Sequence, residues 1–170
     1  MDDASMAINH IEWRTLRAGD PPMLAVLFRD AVMQLAASHY DEAGRAAWAA
    51  SADDLEAFSA RLAQGLTLVA VASDTIAAFG QLHPADHVEM LYTSPAFAGQ
   101  GIAWTLLARF EAVARAAGTP MLTAHASASA KRSFERAGFH VLAEEDVERN
   151  GVSLKRFRMR KPLVAAHIPQ

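Results

Sequence analysis

A chain of 170 residues that is 52% hydrophobic and 21% charged can bury one sizeable core, since domains of roughly 100 to 200 residues are the norm. It contains no cysteine, which excludes disulfide frameworks, thiolate nucleophiles and cysteine-ligated metal sites. A formal charge of -3 excludes the overall basic surplus of nucleic-acid and anionic-membrane binders, and neither a run of about 18 apolar residues nor a secretion-signal pattern is found, so a soluble cytoplasmic protein is expected.

In chain order, "INHIEWRTLR" (8–17) alternates as a first strand, and "DPP" (20–22) then starts a helix with Asp20 as cap and Pro21 in the first turn. Leu24, Leu27, Phe28, Ala31 and Leu35 follow at helical spacing. Two further helices are predicted in "DEAGRAAWAA" and "SADDLEAFSARLAQG", the second capped by Ser51, striped by Leu55, Phe58 and Leu62, and ended by Gly65. "LTLVAVA", "TIAAFGQLH" and "HVEMLYT" then read as three short antiparallel strands separated by Ser73-Asp74 and Pro84-Ala85. The firmest helix follows Gly101, with Ala103, Leu106, Leu107, Phe110, Val113, Ala114 and Ala117 on one face up to Gly118. "MLTAHA" (121–126) is a buried strand, "SASAKRSFERAG" a short helix, and residues 139–160 a hairpin turned by Asn150-Gly151. The basic run "LKRFRMRK" (154–161) coats the exposed side of the second hairpin strand and is not read as a nucleic-acid patch. This order gives a mixed sheet with helices on both faces.

The stretch "LYTSPAFAGQGIAWTLL" (91–107) sets Gly99 and Gly101 between a strand and a helix, where free backbone N–H groups and the helix dipole suit a phosphate. A P-loop is excluded because no Gly-Lys-Ser/Thr opens the helix, and a dinucleotide fingerprint is excluded because Trp104 stands where a third glycine belongs.

This stretch resembles the acetyl-CoA motif of the GNAT N-acetyltransferase superfamily, a strand ending in Val/Thr-x-Pro followed by Arg/Gln-x-x-Gly-x-Gly/Ala. Leu91, Tyr92, Thr93 and Pro95 match the strand end, and Gly99, Gln100, Gly101, Ile102 and Ala103 match the loop; Ala98 departs from the usual Arg or Gln. Downstream, "SASAKRSFERAGF" resembles the family's Asn-x-x-Ala-x-x-Phe-Tyr-x-x-x-Gly-Phe helix through Ala130, Phe134, Gly138 and Phe139. The resemblance spans residues 66–161. It implies an α/β (α+β) fold, a mostly antiparallel twisted sheet of about six to seven strands with helices on both faces. A single domain over residues 1–161 with a flexible tail at 162–170 is expected.

The activity implied is acetyl transfer from acetyl-CoA to a primary amine of a small molecule or peptide, by direct attack in a ternary complex. An acyl-CoA sensor with little catalysis is the alternative, motivated by Ala98 and Phe134. By the same resemblance, the backbone of Leu91, Tyr92 and Thr93 would pair with the pantetheine arm. The amides from Gly99 through Gln100, Gly101, Ile102 and Ala103 to Trp104 would hold the pyrophosphate. Ser127 either touches the pantetheine or caps the next helix. Phe134 occupies the place of the tyrosine that protonates the leaving thiolate in many members, and cannot donate a proton. Tyr40 is either a substitute acid or a packing residue.

Of the candidate bases, Glu89 shares a strand face with His87, Leu91 and Thr93 by the period of two, and is either the base or a solvated carboxylate. His125 is either a proton relay or a hydrogen-bonded core residue. His39, Tyr40 and Trp48 are candidates for the acceptor wall, Trp48 being equally a core residue. Asp41, Glu42, Asp53, Asp54 and Glu56 either draw in a cationic amine or simply favour helix starts. His83, Asp86 and His87 lack a ligand pattern, so no metal is expected. A homodimer is compatible with the resemblance.

Overall fold

The computed structural model describes residues 10–163. It contains seven strands, β1 (Ile11–Thr15), β2 (Leu66–Ala72), β3 (Thr75–Leu82), β4 (His87–Thr93), β5 (Met121–Ser127), β6 (His140–Arg149) and β7 (Val152–Pro162). The helices are α1 (Pro21–Leu35), α2 (Glu42–Ala49), α3 (Leu55–Leu62), α4 (Ile102–Ala116) and α5 (Lys131–Arg136). The strands form one sheet in the order β1-β2-β3-β4-β5-β7-β6, antiparallel except between β4 and β5. The parallel pair needs a crossover, and α4 supplies it.

Each face of the sheet buries a separate core. On one, Leu106, Leu107 and Phe110 of α4 meet Leu122, Phe134, Phe139 and Met159; on the other, Leu24, Phe28 and Val32 of α1 and Phe58 and Leu62 of α3 meet Val69, Phe79 and Met90. Leu55 and Val113, expected on apolar stripes, are exposed.

The helix starts differ from expectation for identifiable reasons. Asp20 precedes α1 but caps nothing, because its carboxylate takes a bidentate hold of Arg14 (2.7 and 2.8 Å) and the Arg17 N–H (2.7 Å). A charge-assisted pair outcompetes one helix amide. Ser51 lies in a 3-10 turn, Ala50–Ala52, where its hydroxyl donates to the Trp48 carbonyl; Asp54 caps α3 instead, accepting from Ala57 N–H at 3.0 Å.

β4 carries a bulge that the alternating pattern hides. Met90 pairs with Gln81 and Val88 with Leu82, so Glu89 is the extra residue. The strand therefore changes face there: Val88 and Leu91 both pack on the α4 side, while Met90 and Tyr92 pack on the α1 side. His87, Glu89, Leu91 and Thr93 do not share one face, because the bulge resets the period of two between Glu89 and Leu91.

At the other end, Asn150 (φ 48°) and Gly151 (φ 77°) close the β6–β7 hairpin as predicted. β7 continues through Pro162, and the buried Leu163 bonds by its N–H to the Pro120 carbonyl, so the expected boundary at 161 falls inside an ordered strand. The rest of the expected tail, 164–170, lies outside the described residues. Among the described residues, no helix is long and apolar enough to cross a membrane.

Candidate active site

The site begins where the sheet opens. The β4–β5 ladder holds only two pairs, His87 with Thr123 and Val88 with Ala124. Beyond them the strands diverge, so from Glu89 onward β4 has a ladder on its β3 side alone. Two cavities meet in this fork and share Trp48, Leu91, Tyr92, Ser127 and Ala130 as wall.

The first cavity runs along the glycine loop. Thr93, Ala98, Gly99, Gln100, Gly101, Ile102, Ala103 and Trp104 line it, with Arg136 of α5 opposite. Gly99 (φ 74°) and Gly101 (φ 82°) hold backbone conformations that a side chain resists, and a Cβ on either would meet nothing within 4 Å. The glycines are thus required by the turn, and the space beside them is open. The α4 N-terminus has no side-chain cap, which leaves its first amides available to an anion. Gln100 Oε1 is buried without a donor among the described residues.

The second cavity lies on the α1–α3 side under the tip of the β6–β7 hairpin. Asn150 Nδ2 donates to the Ala47 carbonyl at 3.4 Å, and Leu154 lies so close to Gly44 that a Cβ there would come within 2.9 Å. Its apolar wall is Phe28, Trp48, Phe58 and Tyr92; its polar floor is His87, Glu89 and His125. His87 Nε2 is 3.3 Å from Glu89 Oε2, its Nδ1 is 2.8 Å from Thr123 Oγ1, and its ring centroid is 5.0 Å from that of His125. The Thr123 hydroxyl in turn donates to the Asp86 carbonyl at 3.3 Å, tying the His87 ring to the turn that precedes β4.

Burial and charge then separate the two candidate bases. The hydrogen bond from His87 holds the Glu89 carboxyl below the usual carboxylate range. Desolvation, assisted by the nearby Arg156 cation, lowers His125 below an ordinary imidazole. His125 is exposed on its strand and lines the cavity, so it is not the core histidine of the alternative reading.

The remaining candidates fall into place by contact. Tyr40 donates to the Lys155 carbonyl at 2.5 Å and accepts from Ala128 N–H at 2.7 Å, so both roles of its hydroxyl are taken; burial raises its pKa. Tyr92 is packed edge-on to Phe28 at 4.6 Å, and burial pushes its hydroxyl up to about 12. Ser127 accepts from Ala130 N–H at 3.1 Å, tying the end of β5 into the turn before α5. Phe134 is buried, edge to face with Phe139. His39 is exposed and lines neither cavity.

The acidic helix residues Asp41, Glu42, Asp53, Asp54 and Glu56 also line neither cavity; Asp41 and Asp54 are spent as helix caps. Sequence reasoning passed over Arg61, Arg136 and Arg149, which do line the cavities and come from three distant segments with no local signal. Among the described residues, no group of three or more metal-ligating side chains is arranged to hold an ion.

The site is thus a fork between the central strands of an open mixed sheet, with a glycine loop and an uncapped helix N-terminus lining one of its cavities. Comparison with known proteins supplies the class: the acetyltransferase (GNAT) domain family matches residues 36–161. An uncharacterized N-acetyltransferase, YafP of Escherichia coli (strain K12), is 30% identical over 154 residues, 90% of this chain and 97% of that protein. The chain belongs to the GNAT acetyltransferase family. A GCN5-related N-acetyltransferase from Rhodopseudomonas palustris superposes with a TM-score of 0.87 at 34% identity, over 89% of this chain and 95% of that one. PaiA N-acetyltransferase from Thermoplasma acidophilum, solved in complex with coenzyme A, has the same fold, with a TM-score of 0.72 at 21% identity over 90% and 99% of the two chains.

Proposed function

We propose that the protein is a cytoplasmic N-acetyltransferase that carries an acetyl group from acetyl-CoA to a primary amine, both bound at once. The observation that carries this reading is the common wall of the two cavities at the β4–β5 fork. A phosphate-type cavity and an amine-type cavity that touch at one point bring two reactants together, which supplies much of the rate.

The residues present fit acetyl-CoA. Open glycines, uncapped α4 amides and Arg136 suit its pyrophosphate, and the β4 edge beyond Val88 suits the amide-bearing pantetheine. Ligand N–H or O–H groups would also relieve the orphaned Gln100 oxygen. When bound, acetyl-CoA supplies an activated thioester. The main-chain N–H of Leu91 or a neighbour polarises its carbonyl.

On the other side of the fork Glu89, kept ionised by His87, attracts and orients the ammonium form of the acceptor. His125 takes its proton, because an imidazole held below its ordinary pKa is neutral near pH 7 and lines the same cavity. The free amine then attacks the thioester carbon, the C–N bond forms and the C–S bond breaks, the nitrogen sheds its second proton to water, and the thiolate, with a pKa of about 8.5, departs without an acid where Phe134 stands.

Two observations support the sensor reading: Phe134 has no acidic proton to give, and the Tyr40 hydroxyl spends its proton on the Lys155 carbonyl. The test is calorimetry with acetyl-CoA followed by thiol release over a panel of amino acids, peptides, polyamines and aminoglycosides. Acetylation of any amine well above background is the expected result. Binding without turnover on every amine returns the sensor, and no binding at millimolar acetyl-CoA overturns both.

A further inference from the structure

The charges lining the second cavity specify more than an amine. Four cations reach it, Arg61, Arg149, Lys155 and Arg156, against the single carboxylate of Glu89. Two are already neutralised: Lys155 Nζ lies 2.6 Å from Glu144, and Arg156 pairs with Glu145 at 3.1 Å. The other two have no acidic partner among the described residues. Arg61 donates to the Ser51 carbonyl at 2.7 Å and lies over the Phe58 ring, 5.5 Å from its centroid, so its guanidinium is held at the apolar wall, near enough to Glu89 to favour its ionised form but in no ion pair with it. Arg149, at the end of β6 beside the hairpin turn, has neither a hydrogen bond nor an ion pair from its side chain among the described residues. Glu89 meets His87 through Oε2 alone, which leaves its other oxygen for one ammonium.

A polycationic amine would therefore meet two free guanidinium groups and a single carboxylate. An acceptor that brings its own anion meets the opposite: a carboxylate for the arginines, an apolar wall for its body, and Glu89 for its ammonium. Building on the acetyltransferase reading above, we infer that the acceptor is a small amine that also bears a carboxylate and an apolar body, with Arg61 and Arg149 as the carboxylate's partners.

The experiment measures the acetylated product, so that it reads the cavity whether or not turnover is fast. N-acetylphenylalanine and the neutral N-acetylphenethylamine are titrated calorimetrically into the protein saturated with CoA. The carboxylate is expected to bind roughly tenfold tighter or better, and Arg149→Gln and Arg61→Gln each to narrow that gap at least about threefold. Arg149 at the exposed hairpin end keeps the test valid should Arg61→Gln disturb the Ser51 turn. Equal binding, tighter binding of the neutral product, no binding of either, or a gap untouched by both substitutions overturns the inference while CoA binding stays intact. Failure of CoA itself to bind sinks the acetyltransferase reading, and this inference with it, by a separate readout.

Discussion

At the scale of single residues, the sharpest consequences come from groups whose proton affinity the fold has changed. If neutral His125 receives the amine proton, kcat must fall on the acid side as the imidazole becomes charged. Because desolvation lowers its pKa, that limb lies below the ordinary 6.5. In His125→Gln the limb disappears from the kcat profile and the plateau drops by about a hundredfold to ten-thousandfold, the usual worth of a positioned base. A limb that persists unchanged in the variant would move the role elsewhere. Asp20 offers a second test, on stability. Arg14 and the Arg17 amide hold its carboxyl below its usual range, so its contribution is complete above an unfolded value of about 3.9 and is lost as pH falls through the lower folded value. Asp20→Asn should cost about 2 to 4 kcal/mol in urea unfolding near neutral pH, because it leaves Arg14 half-buried without its anion, and should flatten the acid-side loss of stability. These assignments were only partly legible beforehand. Asp20 sits where a cap belongs, but nothing local announces that Arg14 will claim it; His125 reads as a strand histidine until the fork shows which side of β5 is open.

At the scale of elements, the glycine loop and α4 were readable because their information is local: two glycines, a helix stripe and a strand end lie within one short stretch. The bulge at Glu89 was not, since an extra residue in β4 exists only relative to the register of β3, and a period-of-two argument on one strand cannot detect it. The grouping of Arg61 with Arg149 has the same cause, because tertiary packing alone brings α3 and the hairpin end to one cavity. The loop itself makes a prediction in which conformation and function separate. A Cβ on Gly101 would meet no neighbour, so the cost of Gly101→Val arises chiefly from holding a branched residue at φ 82°, about 1 to 3 kcal/mol. Part of that strain will be relieved by distorting the amides at the α4 N-terminus. CoA affinity by calorimetry should fall at least about tenfold while far-ultraviolet circular dichroism stays unchanged. Retention of full affinity would mean that the loop amides do not hold the pyrophosphate.

At the scale of the molecule, the fork leaves the two halves of the sheet joined by a central ladder only two pairs long. The β4–β5 junction is consequently the place where the two halves of the sheet, β1 to β4 and β5 to β7, have least backbone in common. A ligand that pairs with the free edge of β4 and also reaches the α4 N-terminus would span that junction, and it binds only the folded chain. Mass action then raises stability by about 2.7 kcal/mol at a hundredfold excess over Kd, which for a chain of this size corresponds to a rise in Tm of roughly 5 to 10 °C. The rise should grow with the logarithm of CoA concentration and be much reduced in Gly101→Val at matched concentration. It should survive in His125→Gln, whose change lies in the other cavity. Hydrogen exchange locates the effect: protection on adding CoA should concentrate in the β4 amides from Glu89 to Thr93 and in the first turn of α4, and be least in β1 and β6 at the sheet edges. Protection spread evenly over all seven strands would mean that CoA stabilises the fold as a whole without bridging the fork.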